Sequence, residues 1–180
     1  MGWIPKRMSE EALKLRARGE YNRKDYENAE KSLRKLRNIT TDKTWANDVL
    51  ARLYMNTGRH ENAIPLLKDN LEKSTNKDRE LHFLIKCYRV TTQYEKGLEL
   101  IAESEILANN DEVTWDETWA LIEDFDDVEA IEKFLNKIEK YSNREIHFDL
   151  IRLRLSLLKK DDKEVSRITL GILETGGIKD

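Results

Sequence analysis

The sequence has one cysteine, two prolines, seven glycines and no long apolar run. The single cysteine, Cys87, cannot form an internal disulfide, which suits a reducing compartment. No apolar run approaches the roughly 18 residues that a membrane span needs, and the first residues lack an apolar segment typical of a signal peptide. We therefore predict no membrane insertion and expect a cytoplasmic location.

Motifs that carry catalysis or bind cofactors are also missing from the sequence. The three histidines are dispersed, and there is no HExxH pair, paired CxxC motif, glycine-rich phosphate loop or GxSxG elbow. Cys87 and His82 could be drawn as nucleophile and base, but five residues along a helix turn through about 140°, which points them apart. We predict that Cys87 packs in the interior and that the chain has no catalytic residues, cofactor, metal or small-molecule substrate.

Helix-forming and charged residues are abundant. Of the 180 residues, 39% are apolar and 37% are charged, which is too polar for a large globular centre. Ala, Leu, Glu, Lys and Arg favour helix in nearly every window of the sequence. The composition indicates an all-α chain with a thin, elongated core.

One stretch of sequence recurs at intervals of 34 residues. YENAEKSLRKL begins at Tyr26, HENAIPLLKDN begins at His60, and a fainter copy, YEKGLELIAES, begins at Tyr94. Around Gly58, apolar residues recur at spacings of three and four on both sides. This pattern predicts a helix, a turn closed by a left-handed glycine and a second helix.

The same pattern along the chain predicts about ten helices, each about 11 to 16 residues long, in five pairs. Thr92, Thr114 and Ser142, each with Glu three residues later, resemble capping boxes at helix starts. Pro65 is expected to shift the start of the fourth helix or bend it. The predicted turns lie near residues 23–25, 39–43, 57–59, 74–77, 91–93, 108–113, 125–127, 141–143 and 159–161.

These residues resemble the tetratricopeptide repeat (TPR) family, with the strongest match over residues 44–77. The resemblance rests on small residues at Ala51 and Ala63, on Tyr54, on Gly58 at the turn and on Leu67. It implies a right-handed α-solenoid of about five antiparallel helix pairs and one domain over residues 1–180. The expected repeats are about 10–43, 44–77, 78–111, 112–143 and 144–176, and Glu20 stands where the family usually has a large apolar residue.

The C-terminal end of the predicted array is apolar, whereas such arrays usually close with a polar capping helix. Leu170, Ile172 and Leu173 lie on the last predicted helix. This pattern indicates either a segment of a longer protein or self-association through the C-terminal repeat.

Charge is distributed unevenly along the chain. Residues 1–90 carry 20 Lys and Arg against 13 Asp and Glu, a net charge of +7. Residues 91–132 carry one Lys against 14 Asp and Glu, a net charge of −13. Residues 133–180 carry 11 Lys and Arg against eight Asp and Glu, a net charge of +3. Separated charges of this kind steer and orient charged partners.

Arg18, Arg52 and Lys86 recur every 34 residues on the first helix of successive pairs, which the resemblance places on the concave wall of the array. These three residues form the predicted basic column. Lys14, Arg79 and Arg89 lie within a turn or two of it, and Tyr21, Trp45 and Met55 offer apolar contacts in the same groove. We predict a scaffold or adaptor that binds another protein, as an acidic peptide or partner domain, in this groove. The alternative is a solvated face supported by neighbours such as Asp48.

Two further classes of function are weighed against this scaffold. Repeats of helix pairs can bind RNA, but the sequence pI of about 5.8 and the lack of interleaved aromatics on the basic column count against it. An all-helical enzyme would need a deep pocket with convergent polar groups. In the acidic middle, we expect Asp124, Asp126 and Asp127 to favour the N-terminus of the next helix and Trp115 and Trp119 to fill the core.

Overall fold

The computed structural model describes residues 6–73, 77–104, 112–139 and 145–175. These residues form ten helices, which confirms the all-α prediction and the predicted number of helices. They are α1 (Lys6–Asn22), α2 (Tyr26–Ile39), α3 (Thr44–Asn56), α4 (His60–Lys73), α5 (Asp78–Val90), α6 (Tyr94–Ser104), α7 (Glu112–Glu123), α8 (Val128–Ile138), α9 (Glu145–Lys159) and α10 (Asp162–Thr175). The predicted turns near residues 74–77, 108–113 and 141–143 lie wholly or largely outside the described residues.

The turns inside four of the helix pairs share one backbone conformation. Lys24, Gly58, Thr92 and Lys160 all have positive φ angles, between 56° and 74°. In each turn the next residue donates its N–H to the carbonyl five residues back, as Arg59 does to Tyr54 at 2.8 Å. Positions 24, 58 and 92 are 34 residues apart, and position 160 follows after two more periods. The prediction of a left-handed residue at Gly58 is confirmed.

Two predictions about helix ends are wrong. Thr92 does not cap α6, because it is the left-handed residue that closes the preceding helix. Thr114 lies inside α7, where its carbonyl accepts a hydrogen bond from the Thr118 hydroxyl at 2.7 Å. Of the two effects predicted for Pro65, a shifted start of α4 does not occur, since that helix begins at His60 and contains the proline, and a bend of α4 stays a prediction. Ser142 lies outside the described residues.

The chain divides into two compact units, residues 1–87 and residues 88–180, with the boundary inside α5. We call them the N-terminal and C-terminal units. By sequence, the N-terminal unit carries 19 Lys and Arg against 13 Asp and Glu, a net of +6. The C-terminal unit carries 13 against 22, a net of −9, so the two units have opposite net charge.

In the N-terminal unit, α2 packs on α1 and α3, and α3 also packs on α4. Small residues occupy the close contacts, as Ala17, Ala29, Ala51 and Ala63 are fully buried. A small side chain allows two helix axes to approach closely, so the recurring alanines of the sequence repeat have a direct packing role.

Glu20, the residue that departs from the TPR pattern, is buried in a polar contact between α1 and α2. Its carboxylate accepts hydrogen bonds from the Ser32 hydroxyl at 2.6 Å and from Arg16 Nε at 2.7 Å. Burial works to raise the pKa of Glu20, but the bonds from Ser32 and Arg16 outweigh it and lower the pKa. A paired carboxylate therefore replaces the apolar contact.

A second polar contact joins α3 to α2. The Tyr54 hydroxyl donates to Glu30 Oε1 at 3.0 Å, and Arg59 donates to Glu30 Oε2 at 2.8 Å. The Arg59 guanidinium also lies over the Tyr54 ring, 4.7 Å from its centroid. These contacts fix one helix pair against the next.

In the C-terminal unit, α6 packs on α7 and α8, both α7 and α8 pack on α9, and α9 packs on α10. Gly97 takes the position of Ala29 and Ala63 in the third copy of the repeat. A Cβ atom at Gly97 would lie only 2.5 Å from Leu121 Cδ1. The third copy therefore has glycine because α6 and α7 approach closely at this point. None of the helices in the described part of the chain has the length and apolar character needed to cross a bilayer.

Candidate functional site

The first helix of each of the first three pairs positions the nine predicted site residues. Lys14, Arg18 and Tyr21 lie on α1, Trp45, Arg52 and Met55 on α3, and Arg79, Lys86 and Arg89 on α5. Arg18, Arg79 and Lys86 are exposed and the other six are half-buried, so all nine are accessible on the chain.

Side-chain contacts place the first helices next to one another in the N-terminal unit. Asn56 of α3 donates a hydrogen bond to the Tyr21 hydroxyl of α1 at 2.9 Å. Arg79 of α5 lies 3.3 Å from Asp48 Oδ1 of α3. The structure therefore brings predicted residues of α1, α3 and α5 into neighbouring positions.

Two of the predicted cations share a buried counter-ion. Asp48 is only 8% exposed, and its Oδ2 accepts a hydrogen bond from Arg52 NH2 at 2.6 Å while its Oδ1 faces Arg79. Arg79 also donates to Glu80 at 2.9 Å, and Glu80 is 3% exposed. The centre of the basic column is therefore partly neutralised, and its cations are held in place by carboxylates beneath them.

Arg18 and Lys86, the outer members of the column, are exposed. Neither forms an ion pair with any residue in the described ranges. Their positive charges are therefore available to a partner, whereas the charge of Arg52 is shared with Asp48.

Arg89 belongs to the other unit. It lies beyond the boundary at residue 87, and its NH1 donates to Asp124 Oδ2 at 3.0 Å within the C-terminal unit. The remaining eight predicted residues lie in the N-terminal unit. We call this set the N-terminal basic surface: Lys14, Arg18, Tyr21, Trp45, Arg52, Met55, Arg79 and Lys86.

In the acidic middle of the chain, residues 91–132, one aspartate caps a helix and two others form ion pairs. Asp127 caps α8, since its carboxylate accepts a hydrogen bond from the Ala130 N–H at 3.0 Å, as the sequence predicted. Asp124 and Asp126 form ion pairs instead, Asp124 with Arg89 and Asp126 with Arg154 at 2.7 Å. The expectation that all three acids favour the next helix start is therefore confirmed only for Asp127.

Trp115 fills the core of the C-terminal unit, as predicted, because it is only 3% exposed. Its ring stacks on His147 at a centroid distance of 4.5 Å and meets the edge of Phe148 at 5.7 Å. Trp119 is half-buried. On α10, Leu170 and Leu173 are 59% and 53% exposed, and self-association through this end stays a prediction.

Cys87 is fully buried, which confirms the prediction that it packs in the interior. Burial raises the pKa of its thiol to about 11, although the nearby Lys86 charge acts in the opposite direction. The thiolate is the reactive form of cysteine, so a raised pKa and burial both suppress its reactivity.

We therefore expect Cys87 of the folded protein to react with a thiol reagent at least about a hundredfold more slowly at pH 8 than in denaturant. Because the folded pKa is raised, the rate should keep rising towards pH 11, whereas in the unfolded chain it should level off above about 8.5. The measurement is absorbance-monitored labelling with and without guanidinium. Equal rates in the two conditions would show that Cys87 is exposed and ionised.

Comparisons with known proteins place this geometry in a fold. No protein-family model and no curated protein matches the sequence. The structure is similar to a crystal structure of a Podosopora anserina protein with nearly identical TPR-like repeats, which is named as a kinesin light chain. The two sequences are 14% identical, and the superposition has a TM-score of 0.52. It covers 99% of this chain and 100% of the other chain. A crystal structure of a substituted form of that protein is 14% identical in sequence and has a TM-score of 0.49. This superposition covers 98% of this chain and 99% of the other chain.

The first of these similarities shows that the chain has the all-α, TPR-like helical-repeat fold predicted from its sequence.

Proposed function

We propose that this protein is an interaction scaffold that binds an acidic peptide or partner segment on its N-terminal basic surface. The observation that carries the proposal is the row of accessible cations on neighbouring first helices, with Arg18 and Lys86 unpaired among the described residues. The unit that carries this surface has a net charge of +6. A positive surface of this kind steers and orients an anionic partner.

The half-buried side chains of Tyr21, Trp45 and Met55 add apolar contact area to the cationic row. Aromatic and methionine side chains are enriched in protein interfaces, where they supply most of the binding energy, whereas exposed charges mainly set specificity and the association rate. The partner segment is therefore acidic with interspersed apolar residues. The chain acts without a catalytic step, and it functions in the cytoplasm.

The proposal is tested by titrating the protein with a short fluorescent peptide that alternates Asp or Glu with Leu. We expect its counterpart, with Asn and Gln in place of the acids, to bind at least about tenfold more weakly, because two or three charge contacts are lost. Equal binding of the two peptides would contradict the proposal. A single-stranded RNA that binds more tightly than the acidic peptide, with strong salt dependence, would favour the RNA-binding alternative.

Asp48→Asn is expected to increase the affinity for the acidic peptide by about threefold to tenfold, because Arg52 and Arg79 lose their shared counter-ion and can pair with the ligand. The side chains of Arg52 and Arg79 are 43% and 56% exposed, so screening by water limits the cost in folding stability to about 1 kcal/mol or less.

Glu27→Gln is the matched control for this gain. Glu27 pairs with Lys31 on α2, a second helix, so its loss makes the same change in net charge away from the first helices. We expect less than about a twofold change in affinity for this control. An equal gain in both variants would show that the peptide responds to net charge rather than to the two arginines.

A further inference from the structure

A shallow, solvent-open cleft lies between α6 and α8 in the C-terminal unit, and its enclosed volume is only about 20 Å³. Its floor is apolar and consists of Leu98 and Ala102 from α6 and Ala130 and Phe134 from α8. Leu98 and Phe134 are themselves 2% and 3% exposed, so the floor is firmly packed. The enclosed volume is close to that of a single water molecule, so a partner's apolar side chains would lie across this floor rather than insert into it.

The two walls of the cleft carry opposite charges. Glu95 and Glu99 stand on the α6 side, and Lys133 and Lys137 stand on the α8 side. Each pair has a spacing of four residues, which places its two charges about 6 Å apart along one helix face. All four residues are exposed.

Within the described part of the chain, these four charges lack the ion-pair partners that their neighbours have. None of them forms an ion pair with a residue in the part of the chain that the structure describes. Adjacent charges of the same unit do pair, as Glu132 does with Lys159 and Glu139 with Arg152. The cleft therefore has an acidic row, an apolar row and a basic row, with both charged rows unpaired in the described structure.

A single α-helix can match three parallel rows. Its apolar stripe would face the floor, and the positions that flank this stripe would face the two walls, as the e and g positions flank the a and d seam of a coiled coil. An extended strand cannot do this, because its side chains alternate between the floor and the solvent and leave the walls unmatched.

We propose that the α6–α8 cleft binds an amphipathic helix of a partner protein. This helix has an apolar stripe flanked by Lys or Arg on the side of Glu95 and Glu99 and by Asp or Glu on the side of Lys133 and Lys137. The site lies in a different unit from the N-terminal basic surface and does not depend on the function proposed for it.

The test uses three designed helical peptides with the same leucine stripe: one with Lys on one flank and Glu on the other, one with Glu on both flanks and one with Lys on both. Binding at the cleft is measured from the backbone amide signals of Leu98, Ala102 and Ala130 in isotope-labelled protein. Any binding at α1 and α3 is read separately from amides of those helices, so failure of either site is distinguishable.

We expect the mixed peptide to bind the cleft at least about tenfold more tightly than either single-sign peptide, because only the mixed peptide forms favourable pairs on both walls. Glu95→Lys combined with Glu99→Lys makes both walls basic. In this variant the preference should invert, with the all-Glu peptide at least about tenfold tighter than the mixed one.

Asp116→Lys combined with Glu174→Lys is the matched control, with the same charge change on exposed residues of the C-terminal unit that do not line the cleft. This control should keep the native order of the three peptides. The proposal is overturned if the mixed peptide causes no change in these amide signals at about 1 mM, or if the two-glutamate reversal leaves the order of affinities unchanged.

Discussion

Trp115→Ala is expected to destabilise the C-terminal unit by about 3 to 5 kcal/mol, the range typical of removing a large buried aromatic side chain. Trp115 is 3% exposed, and its ring contacts both His147 and Phe148 of α9. Removing the ring therefore leaves a cavity between α7 and α9 and ends two aromatic contacts. The measurement is urea unfolding followed by circular dichroism, with hydrogen exchange of α7 and α9 as a local probe.

Trp119→Ala is the matched control because it removes the same side chain, one helical turn later on α7, from a half-buried position. Trp119→Ala should lower the free energy of unfolding by less than half as much as Trp115→Ala does. If Trp115→Ala instead lowers stability by less than about 1 kcal/mol, the indole is not a core residue, and a role in stacking on a ligand becomes the better interpretation.

The helical repeat could be predicted from the sequence because its signals are local. The 34-residue spacing, the alanines at positions 29 and 63 and the glycine at position 58 each report on contacts within one helix pair. The structure extends this period to Lys24, Thr92 and Lys160, which adopt the left-handed turn conformation without being glycine. The sequence at these positions gave no sign of that conformation, because lysine and threonine do not favour positive φ.

The candidate site was harder to predict, because its charges depend on contacts between helices. The pairing of Asp48 with Arg52 follows from their spacing of four residues. The approach of Arg79 from α5 to the same carboxylate depends on lateral packing of helix pairs, which no local spacing reveals. Likewise, the pairing of Arg89 with Asp124 joins residues 35 positions apart.

The opposite charges of the α6–α8 cleft also had a signal in the sequence. Glu99 and Lys133 are one period of 34 residues apart and therefore occupy equivalent positions on successive second helices. Opposite charges at equivalent positions predict an acidic row beside a basic row, since α6 and α8 are neighbours.

Reversing the basic column is expected to have the largest effect on binding. Arg18→Glu, Arg52→Glu and Lys86→Glu in one protein replace three cations with three anions and bring the net charge of the N-terminal unit from +6 to zero. Each reversal removes an attractive contact and adds a repulsive one, so the affinity for the acidic peptide should fall by about a hundredfold or more.

The matched control reverses Lys35, Lys96 and Lys163, which are exposed lysines on the second helices α2, α6 and α10. It makes the same change in total charge without altering the first helices. Circular dichroism should show that both proteins keep the helical content of the native chain, since all six positions are at least partly exposed.

The decisive measurement is the affinity of these two proteins for the acidic peptide at physiological salt. The account predicts a loss of about a hundredfold or more for the reversed basic column and a change of less than about threefold for the control. An affinity that stays within about threefold of the native value in the column variant would contradict the account, because the basic column would then be only a solvated face.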